Sequence, residues 1–258
     1  MIPIRDDNPS STRPLVTYLL IGANVLVWLM EWTLFKAGAA WVVPGYGLVP
    51  ARFMADPSGE LFTVFTSMFM HGGWTHLLGN MLFLYIFGDN VEDALGHGRF
   101  VAFYLAGGLA AAAAQIAIGP TSMVPMVGAS GAIAAVLGAY LVLFPRAPVM
   151  VINPIPFLWL AYGPLLVFPA WLVVGEWFVW NLLSGVSSLG AGGGGGGVAF
   201  FAHMGGFVLG LLAIRPARAG RAKRERELKR WEGWRQPPHA RLRAGDYEGG
   251  PRRDPWVW

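Results

Sequence analysis

Apolar runs long enough to cross a bilayer recur along this chain and constrain its fold more than any other feature. A spanning helix needs roughly 20 mostly apolar residues, and the run over residues 15–35 is close to that length. Only 13% of the residues are charged, against about 25% in soluble domains. The sequence therefore predicts an all-α polytopic membrane protein.

Six runs are predicted to span the membrane: 15–35, 76–93, 100–118, 129–144, 165–183 and 198–214. The first run can also be read as a signal peptide, but it is longer than the usual apolar core of about 7–15 residues. The apolar segment 61–70 is short and is predicted to lie in the membrane interface. Residues 96–99 are predicted to form a tight turn, and residues 149–163, interrupted by Pro154 and Pro156, an irregular surface segment.

Basic residues set the predicted orientation. Thirteen of the 19 Lys and Arg follow residue 214. Six basic residues lie before this C-terminal segment. With six spans, Arg5, Arg13, Arg99 and Arg146 lie on the same side of the membrane as the segment, and Lys36 and Arg52 lie on the other side. Cytoplasmic loops carry the excess of positive charge, so both termini are predicted to be cytoplasmic.

Three regions follow from this reading. They are a cytoplasmic segment 1–14, a six-helix membrane domain 15–214 and a basic, disordered cytoplasmic tail 215–258. The tail is interpreted as a topological anchor attracted to anionic lipid, in preference to a nucleic-acid-binding segment. The lipid bilayer is thus a predicted partner, and nucleic acid is not.

Ser130 lies at the predicted start of the fourth span, within Gly128-Ala129-Ser130-Gly131. The first N–H groups of a helix have no intrahelical acceptor, which suits a nucleophile whose reaction develops an oxyanion. The alternative is a serine chosen only for its small size in a membrane helix.

His203 lies in the sixth span, with Gly206 and Gly210 on its helical face. Ser130, Ala134 and Gly138 give the fourth span an equally small face. Two such faces permit close backbone approach, which would bring Ser130 and His203 within hydrogen-bond reach. Standing alone, His203 would be interpreted as a packing residue bonded to a carbonyl.

His76 and Asn80 are four residues apart and share a face near the outer end of the second span. Both side chains can donate hydrogen bonds to a developing oxyanion; the alternative is an interfacial pair that satisfies loop carbonyls. The chain has no cysteine and no His-Glu-x-x-His spacing, so no metal or cofactor is predicted.

Glu176 lies in the middle of the fifth predicted span, where an isolated carboxylate is expensive. It is interpreted in three ways: as part of a proton pathway, as a group that orients His203, or as a neutral hydrogen-bonding group between helices. Gln115 and Asn181 are interpreted as packing polar residues.

These residues together resemble the bacterial rhomboid intramembrane serine proteases. The resemblance covers residues 17–212 and rests on the motifs around Ser130 and His203, on the segment His71-Gly72-Gly73-Trp74-Thr75-His76-Leu77-Leu78-Gly79-Asn80, and on residues 88–93 and 96–99. It implies six spans and an active site open to the non-cytoplasmic side. It also implies a catalytic dyad of Ser130 and His203, without a third carboxylate, and oxyanion residues His76 and Asn80.

The chain departs from the family pattern at two places. Many rhomboids have Trp-Arg in the first long loop, where Phe62-Thr63 stands here. Some members have an aromatic residue one turn after the serine, stacked on the imidazole, and this chain has Ala134 there. The histidine ring must therefore be positioned by another group.

The resulting hypothesis is an intramembrane serine endopeptidase of the cell membrane that cleaves transmembrane segments of other proteins. The glycine-rich stretch 190–197 is interpreted as a flexible cap over the site or as a simple tether. A non-proteolytic rhomboid-like factor that binds transmembrane segments is the alternative, and it predicts that Ser130→Ala leaves function intact. A small proton-coupled transporter that uses Glu176 and His203 is a second alternative.

Overall fold

A computed structural model of the chain describes residues 1–190 and 200–217. The elements are β1 (Ile2–Asp6), α1 (Leu15–Lys36), α2 (Val42–Tyr46), α3 (Pro50–Ala55), α4 (Pro57–Thr66), α5 (Trp74–Leu95), α6 (His97–Ile118), α7 (Ser130–Leu143), β2 (Pro148–Ile152), α8 (Trp159–Tyr162), β3 (Leu165–Pro169), α9 (Ala170–Gly190) and α10 (Phe200–Ala213). A short 3-10 turn, Pro156–Leu158, precedes α8. Most of the predicted glycine-rich stretch 190–197 and of the predicted tail 215–258 lies outside the described residues. Gly190 ends α9, and the helix that begins at Phe200 extends to Ala217.

The long helices agree with the apolar runs of the sequence. Three described helices are long and apolar enough to cross a membrane by length and composition, namely α1, α6 and the helix that begins at Phe200. The chain is therefore a membrane protein built mainly from helices. The predicted bounds of the first three spans are each matched to within three residues at either end by α1, α5 and α6.

The predicted four-residue turn at 96–99 was wrong. Helix α5 ends at Leu95 and α6 begins at His97, so that Gly96 alone makes the bend. Gly96 adopts φ +79°, a left-handed conformation that glycine adopts without a steric penalty. The Glu92 carboxylate accepts a 2.6 Å hydrogen bond from His97 Nδ1 across this bend.

A three-stranded antiparallel sheet replaces two predicted features. Strand β2 pairs with β1 (Ile2↔Ile152) and with β3 (Val149↔Phe168). Residues 149–163 are therefore not irregular throughout, and the fifth helix begins at Ala170 rather than at residue 165. The predicted all-α class holds for most of the described chain but not for this sheet. An uncharged run such as 165–169 suits a strand or a buried helix equally by composition, and Pro169 disfavours the helical conformation at the residue before it.

Helices α7 and α10 approach through small residues, as predicted. A Cβ built on Gly206 would overlap the carbonyl oxygen of Gly131, and one on Gly210 would overlap that of Ala135. In the other direction, a Cβ on Gly138 would overlap the carbonyl oxygen of Phe207. Backbone meets backbone along this interface, so neither helix can move away from an added methyl group without separating the pair.

The first strand is fastened to the helices by side chains. Tyr140 Oη donates a 2.5 Å hydrogen bond to the Asp6 carboxylate, and Asn8 bonds to Asn90 on α5. The Met1 amino group donates to both Glu176 carboxylate oxygens, at 2.9 and 3.0 Å. Glu176 thus links α9 to β1, and the suggestion that it orients His203 was wrong.

The close contact of α7 with α10 predicts the effect of a single methyl group. Gly210→Ala should lower the free energy of unfolding by about 1–3 kcal/mol, because over-packing against a backbone carbonyl cannot relax by a side-chain rotation. Gly22→Ala is the matched control, since a Cβ on Gly22 in α1 meets nothing within 4 Å. Thermal unfolding in detergent should show a lower Tm for the first variant only, and equal Tm values would contradict the contact.

The contact between Asp6 and Tyr140 predicts a pH dependence. Burial raises the pKa of Asp6 from 3.8 to about 6, and the nearby Asp89 also raises it, while the Tyr140 hydrogen bond lowers it. The folded state therefore favours protonated Asp6, and this contribution to stability is lost as the pH rises through about 6.

Asp6→Asn removes the titrating group and keeps an acceptor for Tyr140. Between pH 5 and pH 8, the Tm of the wild-type protein should fall more than that of Asp6→Asn in the same detergent. A wild-type protein that gains stability relative to the variant over this interval would contradict the burial of Asp6.

Candidate active site

One cavity of about 780 Å³ holds all four residues that the sequence nominated. Its walls come from α5, the loop before α7, and helices α7, α9 and α10. The lining side chains that carry polar atoms are Thr75, His76, Asn80, Ser130, Trp177 and His203. The remaining walls are glycine or apolar side chains such as Phe83, Ile133 and Leu137.

Ser130 and His203 are in direct contact in this cavity. Ser130 is the first residue of α7, and its Oγ lies 2.7 Å from His203 Nε2 on α10. The predicted proximity of the two side chains is therefore present. It follows from the close α7–α10 interface, because Gly206, one turn after His203, lies against Gly131, the neighbour of Ser130.

The imidazole of His203 has two further neighbours on α9. Its Nδ1 lies 2.5 Å from Asn181 Oδ1. The Trp177 ring lies beside it, with the ring centroids 5.6 Å apart and the planes at 43°. Trp177 supplies the aromatic neighbour that Ala134 cannot. Asn181, interpreted from sequence as a packing residue, instead contacts the candidate histidine.

Asn80 is held by His71, a residue that the sequence reasoning quoted in a motif but gave no role. Asn80 Nδ2 lies 3.1 Å from His71 Nε2, and His71 Nδ1 lies 3.2 Å from the Phe69 carbonyl oxygen. A carbonyl only accepts, so Nδ1 carries the proton and Nε2 accepts from the Asn80 amide. Burial lowers the pKa of His71 to about 4, which keeps the ring neutral at pH 7.

His76 is oriented by the loop that precedes α5. The Gly72 N–H donates to His76 Nδ1 at 3.4 Å, so the proton of the neutral ring is on Nε2. The other side of the ring faces Gly128, where an added Cβ would lie 2.7 Å from Cε1 and from Nε2. His76 therefore places its Nε2–H donor beside Gly128, two residues before the start of α7.

The chemistry of this arrangement is that of a base, a hydroxyl and several fixed donors. An unprotonated imidazole nitrogen beside a hydroxyl can accept its proton. The start of α7 adds backbone N–H groups that have no intrahelical acceptor. Within residues 1–190 and 200–217, no group of three or more His, Asp or Glu side chains is arranged to hold a metal ion.

Comparison with known families identifies the family of the chain. Residues 58–218 match the family model described as Rhomboid domain, which is more than half of the chain. The chain belongs to the rhomboid family. The resemblance stated from the sequence motifs is therefore confirmed.

Known relatives include bacterial and mitochondrial rhomboid proteins. The chain is 33% identical over 128 residues to YdcA and 33% identical over 129 residues to Rhomboid protease GluP, both of Bacillus subtilis (strain 168). It is 28% identical over 209 residues to Rhomboid protein 1, mitochondrial, of Saccharomyces cerevisiae. The aligned parts cover 50%, 50% and 76% of this chain, and 61%, 24% and 51% of the relatives. The chain thus spans less than two thirds of each of these rhomboid relatives.

Because Gly128 packs against His76, adding a methyl group at Gly128 is expected to lower both the stability of the protein and the reactivity of Ser130. Gly128 has φ +122°, so Gly128→Ala combines backbone strain of about 1–3 kcal/mol with displacement of the His76 ring. Gly79→Ala is the control, because Gly79 lines the same cavity and a Cβ there meets nothing within 4 Å. We expect a lower Tm and slower labelling of Ser130 by a small fluorophosphonate for Gly128→Ala alone. Equal behaviour of the two variants would contradict the described packing.

Proposed function

We propose that this rhomboid-family chain is an intramembrane serine endopeptidase that cleaves transmembrane segments of other membrane proteins. The observation that carries the proposal is the 2.7 Å contact between Ser130 Oγ and His203 Nε2 inside a cavity at the start of α7. Protease-named relatives such as GluP support the reaction class. A hydroxyl, a base and convergent donors are the parts that acyl transfer requires.

His203 Nε2 acts as the general base and accepts the Ser130 proton as Oγ attacks the scissile carbonyl carbon. The tetrahedral oxyanion accepts hydrogen bonds from Asn80 Nδ2–H, His76 Nε2–H and the backbone at the start of α7. His203 then gives the proton to the leaving amine, the peptide C–N bond breaks, and an acyl-enzyme ester remains. Water, deprotonated by His203, hydrolyses that ester and releases Ser130.

Six spanning helices are proposed, namely α1, α5, α6, α7, α9 and α10, with both termini in the cytoplasm of a cell-membrane protein. Contacts between the N-terminal segment and the C-terminal end of α5 support this arrangement, since Ser11 Oγ and the Thr12 N–H both donate to Asp93. Ser130 starts α7 at the opposite end, which is the non-cytoplasmic side in this topology. Arg13 before α1, Arg99 at the start of α6 and Arg215 after α10 agree with it.

The proposed substrates are transmembrane segments that unwind easily. A helical backbone hides its carbonyls in intrahelical hydrogen bonds, so a segment must open locally before Ser130 can attack one. We therefore expect a preference for helix-weakening residues near the cut and a small residue beside it.

The test uses the full chain, purified and reconstituted in liposomes with a fluorogenic transmembrane substrate. Ser130→Ala and His203→Ala should each lower the cleavage rate by at least about 10³-fold, and Asn80→Ala by about 10²–10³-fold, the usual cost of one oxyanion donor. Mass spectrometry of the products should place the cut within the substrate's transmembrane segment.

Ser187→Ala is the matched control, because the Ser187 hydroxyl donates to the Leu183 carbonyl of its own helix, at 2.7 Å, and Ser187 is not among the residues that line the cavity. It should cleave at the wild-type rate. If Ser130→Ala cleaves as fast as the wild-type protein, the cleavage does not depend on Ser130 and the proposed mechanism is wrong. If the wild-type protein itself does not cleave, the chain is a non-proteolytic member of the family and the proposal is wrong.

A further inference from the structure

Asn181 connects two helices at the candidate histidine. On α9, its side-chain Nδ2 lies 2.8 Å from the backbone carbonyl oxygen of Trp177, one turn earlier. Its Oδ1 lies 2.5 Å from His203 Nδ1 on α10. Both hydrogen bonds are partly buried, and the Trp177 ring shields the same imidazole.

The direction of each hydrogen bond follows from the chemistry of its end groups. The Trp177 carbonyl can only accept, so the Asn181 group that faces it is the NH₂. The Asn181 carbonyl oxygen then faces His203 and can also only accept, so His203 Nδ1 carries a proton. In a neutral imidazole the other nitrogen is unprotonated, and that nitrogen, Nε2, is the one beside Ser130 Oγ.

We propose that Asn181 is a positioning residue that completes a Ser130–His203–Asn181 triad in this protein. The inference rests on the proposed serine-protease function. Asn181 acts through His203: it selects the Nδ1–H tautomer and fixes the plane of the ring, so that the Nε2 lone pair points at the Ser130 hydroxyl. The same logic explains why a serine protease loses most of its rate when its histidine adopts the wrong tautomer.

The amide suits this location better than a carboxylate would. An ionised side chain within a membrane span costs several kcal/mol unless it is paired, and the described hydrogen-bond partners of Asn181 are the Trp177 carbonyl and the imidazole of His203. An amide supplies the same acceptor oxygen without a net charge. Its NH₂ group donates to the Trp177 carbonyl of its own helix, so both polar atoms of the Asn181 side chain have a partner.

The competing role is that of a polar residue that only packs α9 against α10. Replacing such a residue would lower activity only as far as it lowers stability, and it would leave the tautomer of His203 unchanged. The positioning role instead affects the chemical step: kcat falls while KM, which reports substrate binding in slow chemistry, stays the same.

The test compares Asn181→Leu, which keeps the size of the side chain and removes its hydrogen bonds, with the wild-type protein. Asn24→Leu is the matched control: Asn24 is a buried asparagine on another spanning helix, bonded to the Leu20 carbonyl and absent from the cavity lining. With the liposome assay, Asn181→Leu should lower kcat about ten- to a hundredfold at unchanged KM, the cost of one or two lost buried hydrogen bonds. Asn24→Leu should keep the wild-type kcat.

A spectroscopic measurement reads the tautomer without any substrate. The chain has 5 histidines, so ¹⁵N-histidine labelling gives a small set of ring signals, and the His203 pair is identified by its loss in His203→Ala. At neutral pH the wild-type His203 should show protonated Nδ1 and unprotonated Nε2. In Asn181→Leu both tautomers should be present.

The outcomes separate the two proposals. If the wild-type protein cleaves, Ser130→Ala does not, and Asn181→Leu keeps either the wild-type kcat or a single His203 tautomer, the positioning role is wrong and the protease stands. If the wild-type protein and Ser130→Ala behave alike, the protease is wrong, whatever the tautomer. A reduced kcat at unchanged KM together with a mixed tautomer establishes the positioning role of Asn181.

Discussion

The backbone contact between α7 and α10 is the constraint on which the rest of the structure depends. Gly206 and Gly210 on one helix lie against the backbone carbonyls of Gly131 and Ala135 on the other. In lipid there is little hydrophobic gain from pairing helices, so close van der Waals packing of small residues has to supply the association. The same closeness sets the reach of the side chains: Ser130 and His203 meet because the glycines beside them leave no gap.

Short series of hydrogen bonds connect His71, His76 and Asn181 at the cavity to backbone carbonyl or N–H groups. The Phe69 carbonyl determines which nitrogen of His71 is protonated, and the Gly72 N–H does so for His76. The Trp177 carbonyl determines the orientation of the Asn181 amide, whose oxygen then faces His203 Nδ1. Backbone groups have fixed donor and acceptor roles, so they define the direction of every hydrogen bond without placing a charge in the membrane.

The sequence was sufficient for features that depend on local composition and on helical periodicity. Spans such as α1 and α6 follow from apolar length, and the contact of Ser130 with His203 follows from two small-residue faces. The sheet did not follow, because four of the six proposed spans separate Ile2 from Ile152 and an uncharged strand has the composition of a membrane helix. The contact of Asn181 with His203 did not follow either, because it depends on the rotation of α9 relative to α10, which the sequence spacing of 22 residues does not fix.

The pairing of β1 with β2 also has a consequence for biosynthesis. The first strand leaves the ribosome long before its partner at Pro148–Ile152, and at about 5–20 residues per second the delay is roughly 10–30 seconds. During that interval the four long helices α1, α5, α6 and α7 are synthesised while the first strand has no sheet partner. Final closure of the bundle at this end must therefore be a late step, in which an early-made strand is joined to a recently made one.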